Sequence, residues 1–238
     1  KRQHSFVRGN WRNSRETSPM ILQKCCHGMD IYTWLLGKTC VSVSSVGSTY
    51  LFDRAHAPEG AAPYCLGGCK AKESCVFDAE KIYITDPRTG VRHGNTWMAG
   101  VACGTDPTEE KTYAALRNGP YGRCVYQCDN DVVDHQQTNL LFADGATMSF
   151  TMCAFTENCY RYFKAMGTKG EIEADMRSNE IHIRVFGEAE EVVDVAKLAD
   201  DLKGHGGGDS GIVQDFLEML IEERGATART TTLENSLE

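Results

Sequence analysis

The sequence predicts an α+β fold: an open, mostly antiparallel β-sheet with helices packed on one face. Three observations carry this. Ala146, Met148, Phe150 and Met152 alternate with Thr147, Ser149 and Thr151, a period of two, directly after the hairpin pair Asp144-Gly145. Ile172, Ala174 and Met176, then Ile181, Ile183 and Val185, alternate on either side of Ser178-Asn179. Two stretches, Met20 to Leu36 and residues 211–224, space their apolar residues for one helix face each. Strands joined by tight turns make an antiparallel meander rather than a parallel doubly wound sheet.

The elements follow in order. Ser18-Pro19 is a helix start, with Ser as cap and Pro in the first turn. The helix after it places Leu22, Cys25, Cys26, Met29 and Leu36 on one face and stops at Gly37-Lys38. Cys40 to Phe52, rich in Val, Ser and Thr, reads as a strand. Residues 53–80 form an irregular, cysteine-containing insertion with no core of its own, ending in a short helix over Asp78 to Ile84. Asp86 to Asn95 is a turn-rich loop. Glu109 to Asn118 is a helix stopped by Gly119-Pro120. Further strands cover Tyr160 to Met166 and Glu191 to Val195. The helix at 211–224, with Ile212, Phe216, Leu217 and Leu220 on one face, is the second candidate to cover the sheet. The sheet's other face carries Thr, Ser, His and Arg, and can be solvated or can pair copies of the chain.

Composition sets the limits. The 238 residues are enough for a real core, and 41% apolar with 24% charged is the balance of a globular protein. Lys+Arg 25 against Asp+Glu 33 leaves a net charge of -8, which argues against nucleic-acid binding through a basic surface. No apolar run reaches the roughly 18 residues of a membrane span. The 11 cysteines cannot all pair within the chain, and with no secretion signal in view they read as reduced thiols of a cytoplasmic protein. Lys1 is not a start methionine, and the last residues read as an interrupted helix start, so a fragment of a longer protein is expected, here a single domain over 1–238.

Four constellations carry chemistry. Lys24, His27 and Asp30 fall three apart on the first helix, and a His between a Lys and an acid suits proton transfer. Cys65, Cys69 and Cys75, with His56 upstream, suit a structural zinc, or are three free thiols; the spacing is not that of a zinc ribbon. Tyr121 to Gln136 gathers Arg123, Asp129, Asp131, Asp134 and His135 just before a strand, groups that bind hydroxyl-rich ligands or simply solvate a loop. Gly206 to Gly211 fits the letters G-x-G-x-x-G, but the charged Lys197 to Lys203 precedes it where a buried strand is required, so dinucleotide binding by this loop is excluded. With His205 and Asp209 it remains a ligand-contact candidate or a flexible connector. There is no G-x-S-x-G elbow, P-loop or H-E-x-x-H.

Taken in order, Ser5 to Ser14, Ser18 to His27, the Tyr121–Gln136 block, Met166 to Ile172 and His205 to Asp209 resemble the C-terminal domain of the Gfo/Idh/MocA oxidoreductases, over nearly the whole chain. The Gly-Thr-Lys-Gly-Glu-Ile turn and the helical His-x-x-Asp are the most family-wide parts. The resemblance implies an N-terminal Rossmann domain that binds NAD or NADP and supplies a catalytic Lys from a Glu-Lys-Pro motif; neither is present in these residues. What remains is the substrate-binding half, which also forms the homo-oligomer through the sheet. The substrate implied is a sugar, inositol or related polyol, in an NAD(P)-dependent dehydrogenase or in an NAD-dependent glycosidase of the same family. A stand-alone sugar-binding or dimerisation module with a structural metal is the reading from another class. The resemblance makes His27 the residue that contacts the hydroxyl being oxidised, with Lys24 standing in for an acid found four residues before the His, where this chain has Gln23. Gly28 replaces a common Asp, and Asp30 matches the second acid. Arg8, Asn10, Trp11 and Arg12 are expected to line the cleft with Asp30, Arg123, Asp134, His135, His205 and Asp209. Trp11 offers a flat ring either to a sugar or to the core.

Overall fold

The computed structural model of the chain describes residues 7–9, 11–198, 207–222 and 225. They form two compact units, Lys1–Glu157 and Asn158–Glu238. The class is α+β, and among the described residues all seven strands are antiparallel. They are shared between two sheets, three strands in the first unit and four in the second.

In the first unit, α1 (Met20–Gln23) and α2 (Cys26–Leu36) precede β1 (Cys40–Ser48). A long segment of turns leads to α3 (Thr96–Cys103) and α4 (Glu109–Asn118), then to β2 (His135–Phe142) and β3 (Thr147–Cys153). The sheet order is β1-β2-β3. Alternation decides its inside: Thr138, Leu140 and Phe142 are buried while Asn139 and Leu141 between them are outside. The α4 helix begins where Thr108 accepts the Lys111 N–H at 3.2 Å, and Glu109 and Glu110 complement its first turn.

The single helix expected from Met20 to Leu36 is broken. Pro19, not Ser18, is the cap of α1. The chain leaves helical geometry at Lys24 (φ -133°), and α2 restarts at Cys26. Lys24 therefore does not share a helix flank with His27. Gly28 explains how α2 lies on the sheet: a Cβ there would stand 2.9 Å from Phe150 Cε2 of β3, and Tyr32, one turn on, meets the same ring edge-on at 6.1 Å.

Two apolar clusters hold this unit. One joins Val7, Met20, Phe52, Val125, Val132, Met152 and Ala154, with Trp11 packed at its margin. The other joins Cys65, Ala79, Tyr83, Ile84, Met98, Leu116 and Tyr121. The 53–80 segment, expected to have no core of its own, shares one with α3 and α4. Its expected helix is a π-helical turn, Lys81–Thr85.

In the second unit, β4 (Tyr162–Met166), β5 (Gly170–Asp175), β6 (Glu180–Val185) and β7 (Glu191–Asp194) form a simple meander. Gly170 is required, because a Cβ there would lie 2.2 Å from the Arg184 carbonyl oxygen across the β5–β6 pair. Asn179 turns β5 into β6 with φ 57°. The α5 helix (Gly208–Ile221) starts three residues before the expected one. Ile212, Phe216, Leu217 and Leu220, expected to cover a sheet, are exposed.

Gly28→Leu should lift α2 off β3 and cost about 1–3 kcal/mol in urea unfolding. Phe150→Ala, costly alone, should be less so in the Gly28→Leu background; strict additivity would mean that the two do not touch.

Candidate functional site

His27 sits on the exposed first turn of α2, with Asp30 one turn further along the same helix. Lys24 stands just before the break, partly buried.

Arg8 is wholly buried. Its Nε donates to the Arg123 carbonyl at 2.6 Å, and its Nη2 donates to the Phe77 carbonyl at 2.6 Å and to Cys65 Sγ at 3.5 Å. Arg123 returns a bond from Nη2 to the Arg8 carbonyl at 3.1 Å. Arg12 and Arg123 both reach Asp129 Oδ1 at 2.8 Å. The Arg12 guanidinium, helped by Arg123, outweighs burial and holds the Asp129 carboxyl down at about 2. Ser14 completes the seam, its N–H and hydroxyl donating to Asp131, each at 2.7 Å. Arg8, Arg12 and Arg123, expected to contact substrate, therefore hold residues 8–14 against 123–131.

Asp134 is also fully buried. Its Oδ2 accepts three consecutive backbone N–H groups, those of Tyr50, Leu51 and Phe52, at 3.0, 2.7 and 3.2 Å. Its Oδ1 lies 2.9 Å from His135 Nδ1. Burial alone would raise this carboxyl, but the His135 bond and the three N–H donors outweigh it and hold it below the ordinary range. Asp134 is a positioning group in place of the expected ligand contact, and His135 is what it positions. Beside them, His56 Nδ1 pairs with Asp53 at 2.8 Å, and the Tyr50 ring stands between His56 and His135, 5.7 and 6.0 Å from them. Sequence reasoning missed Tyr50, Asp53 and Phe155. The i, i+3 pair Asp53–His56 is the one local signal that could have found part of this cluster.

The three cysteines come together, lining one closed cavity with Cys124, Arg8 and Asp78. Yet no three His, Cys, Asp or Glu side chains among the described residues have the geometry to hold a metal ion. The expected zinc has no site. The fixed guanidinium of Arg8 stands against Cys65, and burial pushes the Cys65 and Cys124 thiols up, away from the thiolate a metal requires. His56 turns to Asp53 instead of joining them.

Asn10 and His205 lie outside the described residues. Asp209 is in the exposed first turn of α5, in the second unit. Gly207 caps that helix, and β7 ends at Asp194, well short of it. Every strand pair is antiparallel. A dinucleotide cradle needs a parallel β-α-β unit with the glycines between strand and helix. The described residues do not fit one.

Asp134→Asn should cost about 2–3 kcal/mol at neutral pH, because three buried N–H donors lose a charged acceptor. The carboxyl is lowered in the folded state, so its contribution is present above its unfolded value and lost as pH falls through the folded one. Urea unfolding of wild type and variant should therefore differ at pH 7 and converge under acid; a pH-independent gap would contradict this.

The family model described as "Oxidoreductase family, C-terminal alpha/beta domain" matches residues 1–237. A levoglucosan dehydrogenase, solved in complex with NADH and levoglucosan, is 16% identical with a TM-score of 0.50, over 92% of this chain and 46% of that one. An inositol dehydrogenase homolog from Azotobacter vinelandii, solved with NADH and myo-inositol, is 12% identical with a TM-score of 0.25, over 82% of this chain and 41% of that one. This chain spans less than half the length of these solved structures. No curated protein matches it. The matched model and the antiparallel α+β architecture together make this chain a member of the Gfo/Idh/MocA oxidoreductase family, in its C-terminal alpha/beta domain.

Proposed function

We propose that this chain is the substrate-binding half of an NAD(P)-dependent oxidoreductase that oxidises a hydroxyl of a sugar, inositol or related polyol, with His27 as the proton-transfer residue. The observation that carries the reading is an exposed imidazole on the first turn of α2 in a chain that the oxidoreductase domain matches from end to end. Oxidising an alcohol removes a hydride from carbon and a proton from oxygen. A nicotinamide, when bound, supplies the hydride acceptor, and a nucleotide-binding domain outside these 238 residues holds it.

The chain's own residues handle the hydroxyl. His27 accepts its proton as the general base. Asp30, one turn along, orients that ring, and Lys24 brings a cation to the same end of α2. Asp209 and the glycines before it belong to the substrate contacts of the second unit. The chain assembles as a homo-oligomer through the sheet, whose open face is half polar. Its odd count of 11 cysteines supports a reducing compartment, the cytoplasm.

The test is NADH formation by the polypeptide that joins this chain to its nucleotide-binding domain, over a panel of sugars and polyols. His27→Ala should lower kcat about 10²–10⁴-fold with KM little changed. An unchanged kcat would remove His27 from the chemistry. Release of a glycosidic aglycone with no net NADH would move the reading to the glycosidases of the family.

A further inference from the structure

Two segments far apart in sequence meet beside the buried Arg8. Phe77 packs edge-on against the Tyr126 ring at 6.0 Å. Cys75 and Cys124 stand two residues before these rings, each on its own segment. Both line the closed cavity that Arg8, Cys65, Cys69 and Asp78 also line. Burial, then Cys75 and Cys124, push the Tyr126 phenol up, so both thiols stand near that hydroxyl. Cys75 is half-buried and meets solvent, while Cys124 is buried.

The two buried thiols of this cavity are held apart. An antiparallel bridge joins Tyr64 to Arg123. On either side of it the Cys65 N–H donates to the Gly122 carbonyl at 2.9 Å and the Cys124 N–H donates to the Pro63 carbonyl at 2.8 Å. Cys65 and Cys124 are therefore diagonal neighbours, with about 7–8 Å between such positions. A disulfide does not bridge Cα atoms more than about 7 Å apart. Cys65 is also engaged, taking a bond from Arg8 Nη2 at 3.5 Å. The space between the thiols is small and polar. Arg8 Nη1 and Asp78 Oδ2 are buried without a hydrogen-bond partner. The room left, about 10 Å³ for the centre of a water-sized molecule, is at the lower limit for a single water. No bulky oxidant fits there, so oxidation has to begin at the half-buried Cys75.

We propose that Cys75 and Cys124 are a redox pair, joined as a disulfide by hydrogen peroxide, which staples the turn-rich segment to the residues that lead into β2. The Cys75 sulfur attacks peroxide. An S–O bond forms, the O–O bond breaks, and the departing hydroxide leaves as water with the thiol's proton. The product is a sulfenic acid at Cys75. The Cys124 sulfur then attacks the Cys75 sulfur. The S–S bond forms, the S–O bond breaks, and a second water carries off the hydroxyl and the Cys124 proton. The thiols give up two electrons and peroxide takes them. Burial keeps Cys124 a thiol until its partner is oxidised, and the Arg8 guanidinium in the same cavity works the other way, favouring the thiolate at the moment of attack. Neither residue belongs to the His27 end of α2, so the pair stands or falls apart from the proposed oxidoreductase chemistry.

The experiment is a peptide map of the reduced, full chain after a brief exposure to hydrogen peroxide, with the remaining thiols alkylated in urea. A peptide pair linked through Cys75 and Cys124 should dominate, and dithiothreitol should abolish it. The urea midpoint of the oxidised chain should rise and return on reduction, because the link closes a long loop in the unfolded state. Cys124→Ser should leave Cys75 as a sulfenic acid that dimedone labels. Cys75→Ser should lose both the link and the midpoint shift. Three outcomes would overturn the proposal: Cys75 and Cys124 unlinked once the exposed Cys26 and Cys159 have been oxidised, a dominant link from Cys69 to either of them, or a mixture of links no different from that of chain oxidised in urea.

Discussion

The first unit depends on a buried charge. Arg8 carries a guanidinium that water never reaches. Taking such a group out of water is costly unless its donors are satisfied. The chain engages Nε and Nη2 from distant places, the carbonyl of Phe77 and the thiol of Cys65 in the turn-rich segment and the carbonyl of Arg123 just before β2, and leaves Nη1 buried without a partner. Residues 53–95 contain only short helical turns and cannot hold themselves by a backbone ladder. Arg8 gives them a fixed point, and the apolar cluster of Cys65, Ala79 and Tyr83 against Leu116 fills in behind it. The same guanidinium disqualifies the thiols as a metal site.

Asp134 repeats the device with the opposite sign. Three successive N–H groups converge on one of its oxygens, which pins the chain as it leaves β1. Its other oxygen holds an imidazole at the surface. The charges these contacts engage, buried or half-buried, are framework, and they stand apart from the exposed or half-exposed imidazoles. That division separates Arg8, Arg12, Arg123 and Asp134 from His27 and His135, although composition alone makes all six equally plausible as ligand contacts.

What was legible in the sequence follows from how local each determinant is. The strands from Thr147 onward and the α4 helix are written in near-neighbour periodicity and capping, and they stand within a few residues of where those patterns put them. The break at Lys24 has no such signature, because the apolar spacing of 20–36 runs straight through it. The zinc expectation went wrong for the same reason. Cysteine spacing is local, but the group that occupies the space between the thiols comes from residue 8. Tyr50 and Phe155 were invisible because they meet His135 only through the pairing of β1, β2 and β3.

Gly28 shows how one residue can be misjudged by propensity and justified by packing. In isolation it weakens a helix by about 1 kcal/mol. On the sheet it removes the one atom that would strike Phe150. The backbone of α2 can then lie against β3, and the height of His27, the preceding residue, is fixed by that contact. A larger residue at 28 would raise the imidazole together with the helix. In a reaction that needs a proton acceptor within hydrogen-bond reach of one hydroxyl, a displacement of about an ångström costs rate. Glycine beside the histidine thus serves position. The acid that remains, Asp30, sits one turn along on the same rigid element, so the carboxylate and the imidazole keep their spacing wherever the packing at Phe150 sets the helix.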